Sequence, residues 1–172
     1  VKTSAIAHGL LPLLGLLSIA ARSQDAAAQA YTRDERIARN IEIGRRYFNE
    51  VWNQGDVTVL DQLLAPSYIN HTPSTPNPPP GPAGLKPIVL AMRSAFPDLH
   101  YEIKDVIATE DAVVMRVVMN GTHRGVLFGL PATGKKVSVE QINIEHLRDG
   151  RIVEHWRVTD ELELMRQLGA VP

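Results

Sequence analysis

Two hydrophobic periods divide the chain. Over residues 32–52 apolar positions recur at helical spacing through Ile37, Ile41, Gly44, Phe48 and Trp52, with Ile43, Tyr47 and Val51 beside them. Arg33, Arg36, Arg39 and Glu42 occupy much of the opposite surface. Thr32 followed by Glu35 forms a capping box, in which hydroxyl and carboxylate each satisfy a backbone N–H that the first turn leaves open. Asn53-Gln54-Gly55 ends this helix. Asp56 or Thr58 caps a short second helix carrying Val59, Leu60, Leu63 and Leu64, which Pro66 stops. Residues 68–71 read as a short extended piece. A third helix spans residues 85–95, with Pro87 acceptable only in its first turn.

From residue 99 the period becomes two. Residues 99–109 and 112–123 flank Glu110-Asp111 and predict a hairpin. Val113, Met115, Val117 and Met119 face one way, and Val114, Arg116 and Val118 the other. Two largely apolar faces predict a central strand covered on both sides. Residues 135–148 and 151–159 form a second hairpin through Asp149-Gly150, a pair that tolerates the positive φ of a two-residue turn. In this hairpin the apolar set moves from Val137 and Val139 to Ile142 and Ile144, an odd-to-even change that points to a one-residue bulge. A terminal helix follows over residues 160–168. Helices first and an antiparallel meander afterwards define an α+β fold. A curved antiparallel sheet wrapped around N-terminal helices would make a cone with an interior pocket.

Two segments fall outside this pattern. Residues 73–82 hold six prolines and cannot enter a central strand, so they form a stiff surface loop, either a passive linker or a rim over the pocket. At the N-terminus, Lys2, an apolar run over residues 10–21 and Ala28-Gln29-Ala30 form a secretory signal pattern. Residues 1–30 are expected to be cleaved after Ala30. Residues 31–172 then make one secreted or periplasmic domain with no stable membrane span.

Composition narrows the chemistry. A formal net charge of −1 gives no basic surplus for phosphates, so no nucleic-acid partner is expected. The absence of cysteine excludes disulfides, thiolate nucleophiles and cysteine-ligated metals. His71, His100, His123, His146 and His155 show neither H-x-H nor H-E-x-x-H spacing, and no metal site is expected. No serine lies in a G-x-S-x-G context.

Several short blocks occur in a definite order. Tyr68-x-x-His71, Gly81-x-x-Gly84 and Phe96-Pro97-Asp98-Leu99 come first. Gly121-Thr122-His123-Arg124-Gly125, Phe128-Gly129-Leu130-Pro131-Ala132-Thr133-Gly134-Lys135 and Asp149-Gly150-Arg151-Ile152-Val153-Glu154-His155-Trp156 follow, with Asp160 and Gln167-Leu168-Gly169 at the end. Over about residues 34–169 this order resembles the SnoaL-like polyketide cyclases, or ester cyclases, of the NTF2-like superfamily. The resemblance implies an NTF2-like α+β cone. It also implies an intramolecular aldol condensation that needs no cofactor, on a small apolar carbonyl-containing ligand. It implies an aspartate base near the end of the last strand, matched by Asp160, and a pocket histidine about fourteen residues earlier, matched by His146. Because a cone of this kind hosts several reactions, a non-catalytic binding protein, a hydrolase and an isomerase remain alternatives.

The proposed chemistry has a physical basis. Burial raises a carboxylate's pKa and makes it a better base. Trp156, Val158, Leu162 and Met165 are expected to supply the apolar surroundings for Asp160, and His146 to donate to the developing enolate. If Asp149-Gly150 is a simple two-residue turn, His146 and Asp160 fall on opposite faces of the sheet, and one bulge would bring them together. Asp160 is also placed to cap the terminal helix. His71, His123, Asn143, Tyr68 and Arg116 complete the expected substrate-binding set. Arg116 has the alternative of pairing with Glu140 or Glu145. Apolar residues on both strand faces suggest a homodimer through the outer sheet face.

Overall fold

The computed structural model of the chain describes residues 31–172; the expected signal segment through Ala30 lies outside the described residues. Helix α1 spans Arg33–Arg46 and continues as a wider π-helical stretch, Tyr47–Asn53. Asp56 accepts from the Thr58 backbone N–H at 3.0 Å and opens a short 3-10 turn, Val57–Val59. Helix α2 (Leu60–Leu63) leads directly into strand β1 (Leu64–Asn70), so the chain is already extended where Pro66 removes its N–H. Helix α3 spans Pro82–Ala95 and begins earlier than the pattern predicts, because Pro82 itself opens the first turn. Pro87 therefore lies beyond that turn.

Strands β2 (His100–Ala108), β3 (Ala112–Thr122), β4 (Lys136–Arg148) and β5 (Arg151–Thr159) follow, and α4 (Glu161–Leu168) ends in a left-handed Gly169. The five-stranded sheet has the order β1-β5-β4-β3-β2. β2 to β5 pair antiparallel, whereas β1 pairs parallel with β5. Both expected hairpins are present. Asp149 and Gly150 both take positive φ, 51° and 70°, in the second turn. The fold is the mixed α+β architecture anticipated above.

Strand β3 lies one place from the edge rather than at the centre, and β4 is the middle strand. The inner face of β3 buries Val113, Met115, Val117 and Met119, while its outer face stays half-exposed. α1 and the π-helical stretch pack Ile43, Tyr47, Phe48, Val51 and Trp52 into the same core. Full burial of a side chain such as Phe48 contributes roughly 1.5–3 kcal/mol, so this contact anchors the helix to the sheet. Asn53 fixes the register between them: Tyr101 N–H donates to its Oδ1 at 2.6 Å, and its Nδ2 donates to the Tyr101 carbonyl at 3.0 Å.

The bulge expected in the second hairpin exists, but in β5. Arg148 faces Arg151 and Leu147 faces Ile152, after which the register shifts and His146 faces Glu154. β4 itself runs straight, alternating buried odd and exposed even residues along its length. Ile142 and Ile144 are therefore 47% and 37% exposed on the outer face, and Gln141, Asn143 and Glu145 point inward.

Candidate functional site

The inward residues of β4 and β5 form the floor of a cavity of about 150 Å³. Gln141, Asn143, His155 and Arg157 line that floor. Tyr47, Phe48 and Trp52 from the π-helical stretch, with Tyr68 and Tyr101, make aromatic walls. A π-helical turn is wider than an α-turn and is often found beside functional sites. Here it brings Tyr47, Phe48 and Trp52 together toward the sheet.

The proline segment forms the rim, through Pro73, Ser74, Thr75, Pro78, Pro79 and Pro80. Of the two readings left open for it, the structure shows the rim. Gly81 takes φ of 73°, which glycine adopts without strain, and its N–H donates to the Tyr68 carbonyl at 2.9 Å. A Cβ on Gly84 would strike the Pro79 carbonyl, so this glycine lets the prolines fold back onto α3.

A wider chamber of about 510 Å³ continues from the same floor toward α4. It shares Trp52, Pro73, Ser74, Tyr101, Gln141 and Arg157 with the narrower cavity. Its remaining lining includes Met92, Met119, Leu127, Phe128, Leu164 and Glu161. No aspartate lines either chamber.

Beneath the floor lies a buried hydrogen-bonded couple. Glu145 and His155 are direct cross-strand partners, 1% and 4% exposed. His155 Nδ1 lies 2.8 Å from Glu145 Oε1, while Glu145 Oε2 is buried without a partner. With Nδ1 committed to the carboxylate, Nε2 is the ring nitrogen left for the cavity. Tyr47 packs against the same imidazole, with ring centroids 6.3 Å apart. Burial pushes the Tyr47 and Tyr68 phenols well above their ordinary range, and the Glu145 carboxylate pushes both further in the same direction. Burial likewise raises Tyr101 to about 12, against the opposing influence of Arg157 and a bond from Gln141. All three phenols thus stay protonated donors.

The structure brings Tyr68 and Asn143 of the expected set together in the cavity. Tyr68 is 3% exposed and Asn143 2%, and the Tyr68 hydroxyl and Asn143 Nδ2 are both buried without partners. The other six residues lie elsewhere. Asp160 is exposed and caps α4, accepting from the Glu163 N–H at 2.9 Å. The apolar surroundings expected for it are absent, since Val158 and Leu162 are 73% and 56% exposed. The β5 bulge does place His146 and Asp160 on one face of the sheet, but it is the outer face, because both are even-numbered partners of outward positions.

Trp156 also faces outward, in contact with two histidines. His71 stacks on it at 4.3 Å and 7°, and His146 meets it at 4.9 Å. His71 Nε2 sits 3.1 Å from Glu154 Oε2, which uses this imidazole at the surface. Arg116 pairs with Asp105 at 2.6 Å and with Glu140 at 3.0 Å on the outer face, the pairing alternative weighed for it. His123 is fully buried, but behind Phe96 and outside both chambers; its Nδ1 lies 3.1 Å from Thr133 Oγ1 and organises the Gly-rich loop.

The residues that pattern reading missed are Glu145, His155 and Arg157. One signal was available. The odd set of β4 continues unbroken from Val137 and Val139 into Gln141, Asn143 and Glu145, and two strand faces can be followed by parity even when polarity inverts. The fourteen-residue spacing implied by the resemblance is met inside the cavity by Asn143 and Arg157, which face each other across β4 and β5. Among the described residues, no group of three or more His, Asp or Glu is placed to hold a metal ion.

A curved sheet, a proline-rimmed cone and a polar floor define a small-molecule cavity of the cyclase type, and sequence comparison agrees. The chain belongs to the SnoaL-like polyketide cyclase family, which it matches over residues 42–168. It is 30% identical over 135 residues to the aklanonic acid methyl ester cyclase of Streptomyces peucetius, covering 77% of this chain and 92% of that one. Among solved structures it is similar to TsrD from Streptomyces laurentii, with a TM-score of 0.71, 30% identity and coverage of 78% of this chain and 97% of that one. A SnoaL-like polyketide cyclase from Jannaschia sp. CCS1 superposes with a TM-score of 0.73 at 25% identity, covering 83% of this chain and all of that one. Relatives named as cyclases support an enzyme of cyclase type.

Proposed function

We propose that this chain is a cofactor-independent cyclase that removes a proton beside a carbonyl group, with His155 rather than Asp160 as the base. The observation that carries this reading is the buried His155–Glu145 pair at the cavity floor. Glu145 holds the ring through Nδ1 and stabilises the imidazolium that forms when Nε2 accepts a proton. The C–H electron pair moves onto the carbonyl oxygen as an enolate. Tyr68 and Asn143 have unsatisfied donors and line the same cavity, so they suit an oxygen on which negative charge develops. The enolate carbon then attacks a second carbonyl of the same molecule. A C–C bond forms, and the resulting alkoxide takes back the proton from His155, leaving the enzyme unchanged.

Burial supports the base assignment. Asp160 is exposed, lines neither chamber and spends Oδ1 on a backbone N–H, so it is not placed to reach a ligand in the cavity. His155 is shielded from bulk solvent and oriented by a charged partner.

The test is exchange of the α-protons of 2-tetralone in deuterated buffer, followed by proton NMR. The wild-type chain should accelerate exchange, His155→Gln should abolish the acceleration with the fold intact by circular dichroism, and Asp160→Asn should retain it. Exchange at the buffer rate in the wild type would leave a small-molecule binding cone without turnover. Loss on Asp160→Asn alone would return the role to the surface carboxylate.

A further inference from the structure

The cavity floor carries a guanidinium, that of Arg157. Arg157 makes no ion pair with a carboxylate of the described residues. Its guanidinium Nη2 donates to Ser74 Oγ at 3.1 Å, and its backbone N–H donates to Thr72 Oγ1 at 2.8 Å. These bonds tie it to the rim segment just beyond β1. Glu145, one step along the strand pair, gives Oε1 to His155, and its Oε2 has no partner. Glu161 lines the wider chamber but forms no ion pair with Arg157. Arg157 borders both chambers, so a ligand in either one reaches it.

Most of the uncommitted groups that face it are donors, Glu145 Oε2 below the floor being an acceptor. The Tyr68 hydroxyl and Asn143 Nδ2 are buried donors without acceptors, and the guanidinium has further N–H groups to give. A donor-rich floor under aromatic walls is costly while empty and favourable once an anion with an apolar body fills it. A guanidinium fork fits a planar carboxylate with two parallel bonds, which neither an ester nor a ketone reproduces. Tyr47, Phe48, Trp52 and Tyr101 offer ring faces for a flat hydrocarbon body.

We propose that the substrate of this chain carries a free carboxylate on an aromatic or alicyclic ring system, and that Arg157 is the residue that selects it. The proposal deepens the cyclase reading, on whose cavity it rests, by naming the charge of the substrate. It separates this chain from a cyclase that takes only the neutral methyl ester, because esterification removes the charge that Arg157 would pair. Arg157 acts by binding; the proton transfer stays with His155.

Isothermal titration calorimetry with two probes of one shape tests it: 2-naphthoate, which is anionic, and 2-naphthamide, which is neutral. The wild-type chain should bind 2-naphthoate about tenfold or more tighter than the amide, the size expected for a charge-assisted bond in place of a neutral one. Arg157→Gln should abolish the preference with the fold intact by circular dichroism, and Arg157→Lys, which keeps the charge but not the fork, should keep only part of it. Equal affinity for the two probes in the wild type overturns the proposal. So does a preference that survives Arg157→Gln, and so does failure of 2-naphthoate to bind at millimolar concentration. Exchange of 2-tetralone uses a neutral probe and reads only the base. A failed binding test with normal exchange therefore sinks the carboxylate and spares the cyclase, and the converse result does the opposite.

Discussion

The two faces of strand β4 are inverted relative to the usual plan of a sheet. At its start the inner face is apolar, with Val137 and Val139 in the core. Farther along, the inner face carries Gln141, Asn143 and Glu145, all 5% exposed or less, while Ile142 and Ile144 look outward. Paired across β5, His155 and Arg157 are inside and Trp156 and Val158 outside. Burying three polar side chains in a row costs stability that apolar residues would not. A fold that keeps them there keeps them for a ligand, and the inversion marks where the core ends and the site begins.

The sharpest way to break this contrast is to remove the inner base. His155→Gln should slow the exchange of 2-tetralone by about 10² to 10⁴, the usual contribution of a positioned general base. An alkaline titration comes next. Tyr47, Tyr68 and Tyr101 are all raised above the ordinary phenol value of 10.0, Tyr101 to about 12, with burial the leading cause. Below that ordinary value both folded and unfolded chains hold these protons, and stability is full. Above it the unfolded chain ionises first, so stability falls as pH rises toward 12. The phenolate absorbance of these three residues should appear together with loss of the native fold, rather than before it.

Substitution of the couple's acid gives a smaller effect. Glu145→Ala leaves the His155 Nδ1 proton buried without an acceptor and should cost about 1–3 kcal/mol in urea unfolding. On the outer face, Asp160→Ala removes only a helix cap. It should cost about 1 kcal/mol with the exchange rate unchanged. Smallest is Glu140→Ala, one strand position from Gln141 but pointing outward. Its bond to Arg116 is solvent-exposed, and the loss should stay within about 0.5 kcal/mol.

Much of the fold was legible because its signals are local. The Asp149-Gly150 turn, the Gly169 stop and the alternation of β3 each need only neighbouring residues to be read. The parallel pairing of β1 with β5 joins Asn70 to His155 and leaves no local mark. The π-helical stretch at Tyr47–Asn53 is equally silent, since an α-helix would place the same residues on nearly the same side.

Within the site, Tyr68 and Asn143 were already among the expected substrate-binding residues. Glu145, His155 and Arg157 were not, because hydrophobicity assigns Ile142 and Ile144 to the inside and so turns the wrong face of β4 inward. His146 and Asp160 entered the expected pocket through the resemblance rather than through the strand pattern. The β5 bulge did unite their faces, but on the outside, beside Trp156 and the His71 ring.

The account stands on which nitrogen of one imidazole holds the proton. Nitrogen-15 NMR of the wild-type chain at neutral pH, with His155 assigned through His155→Gln, reads this without a substrate. The account predicts a proton on Nδ1, shared with Glu145, and an unprotonated Nε2 whose shift moves when a ligand enters the cavity. A proton resident on Nε2 with Nδ1 bare would leave His155 no lone pair to offer the cavity, and would contradict it.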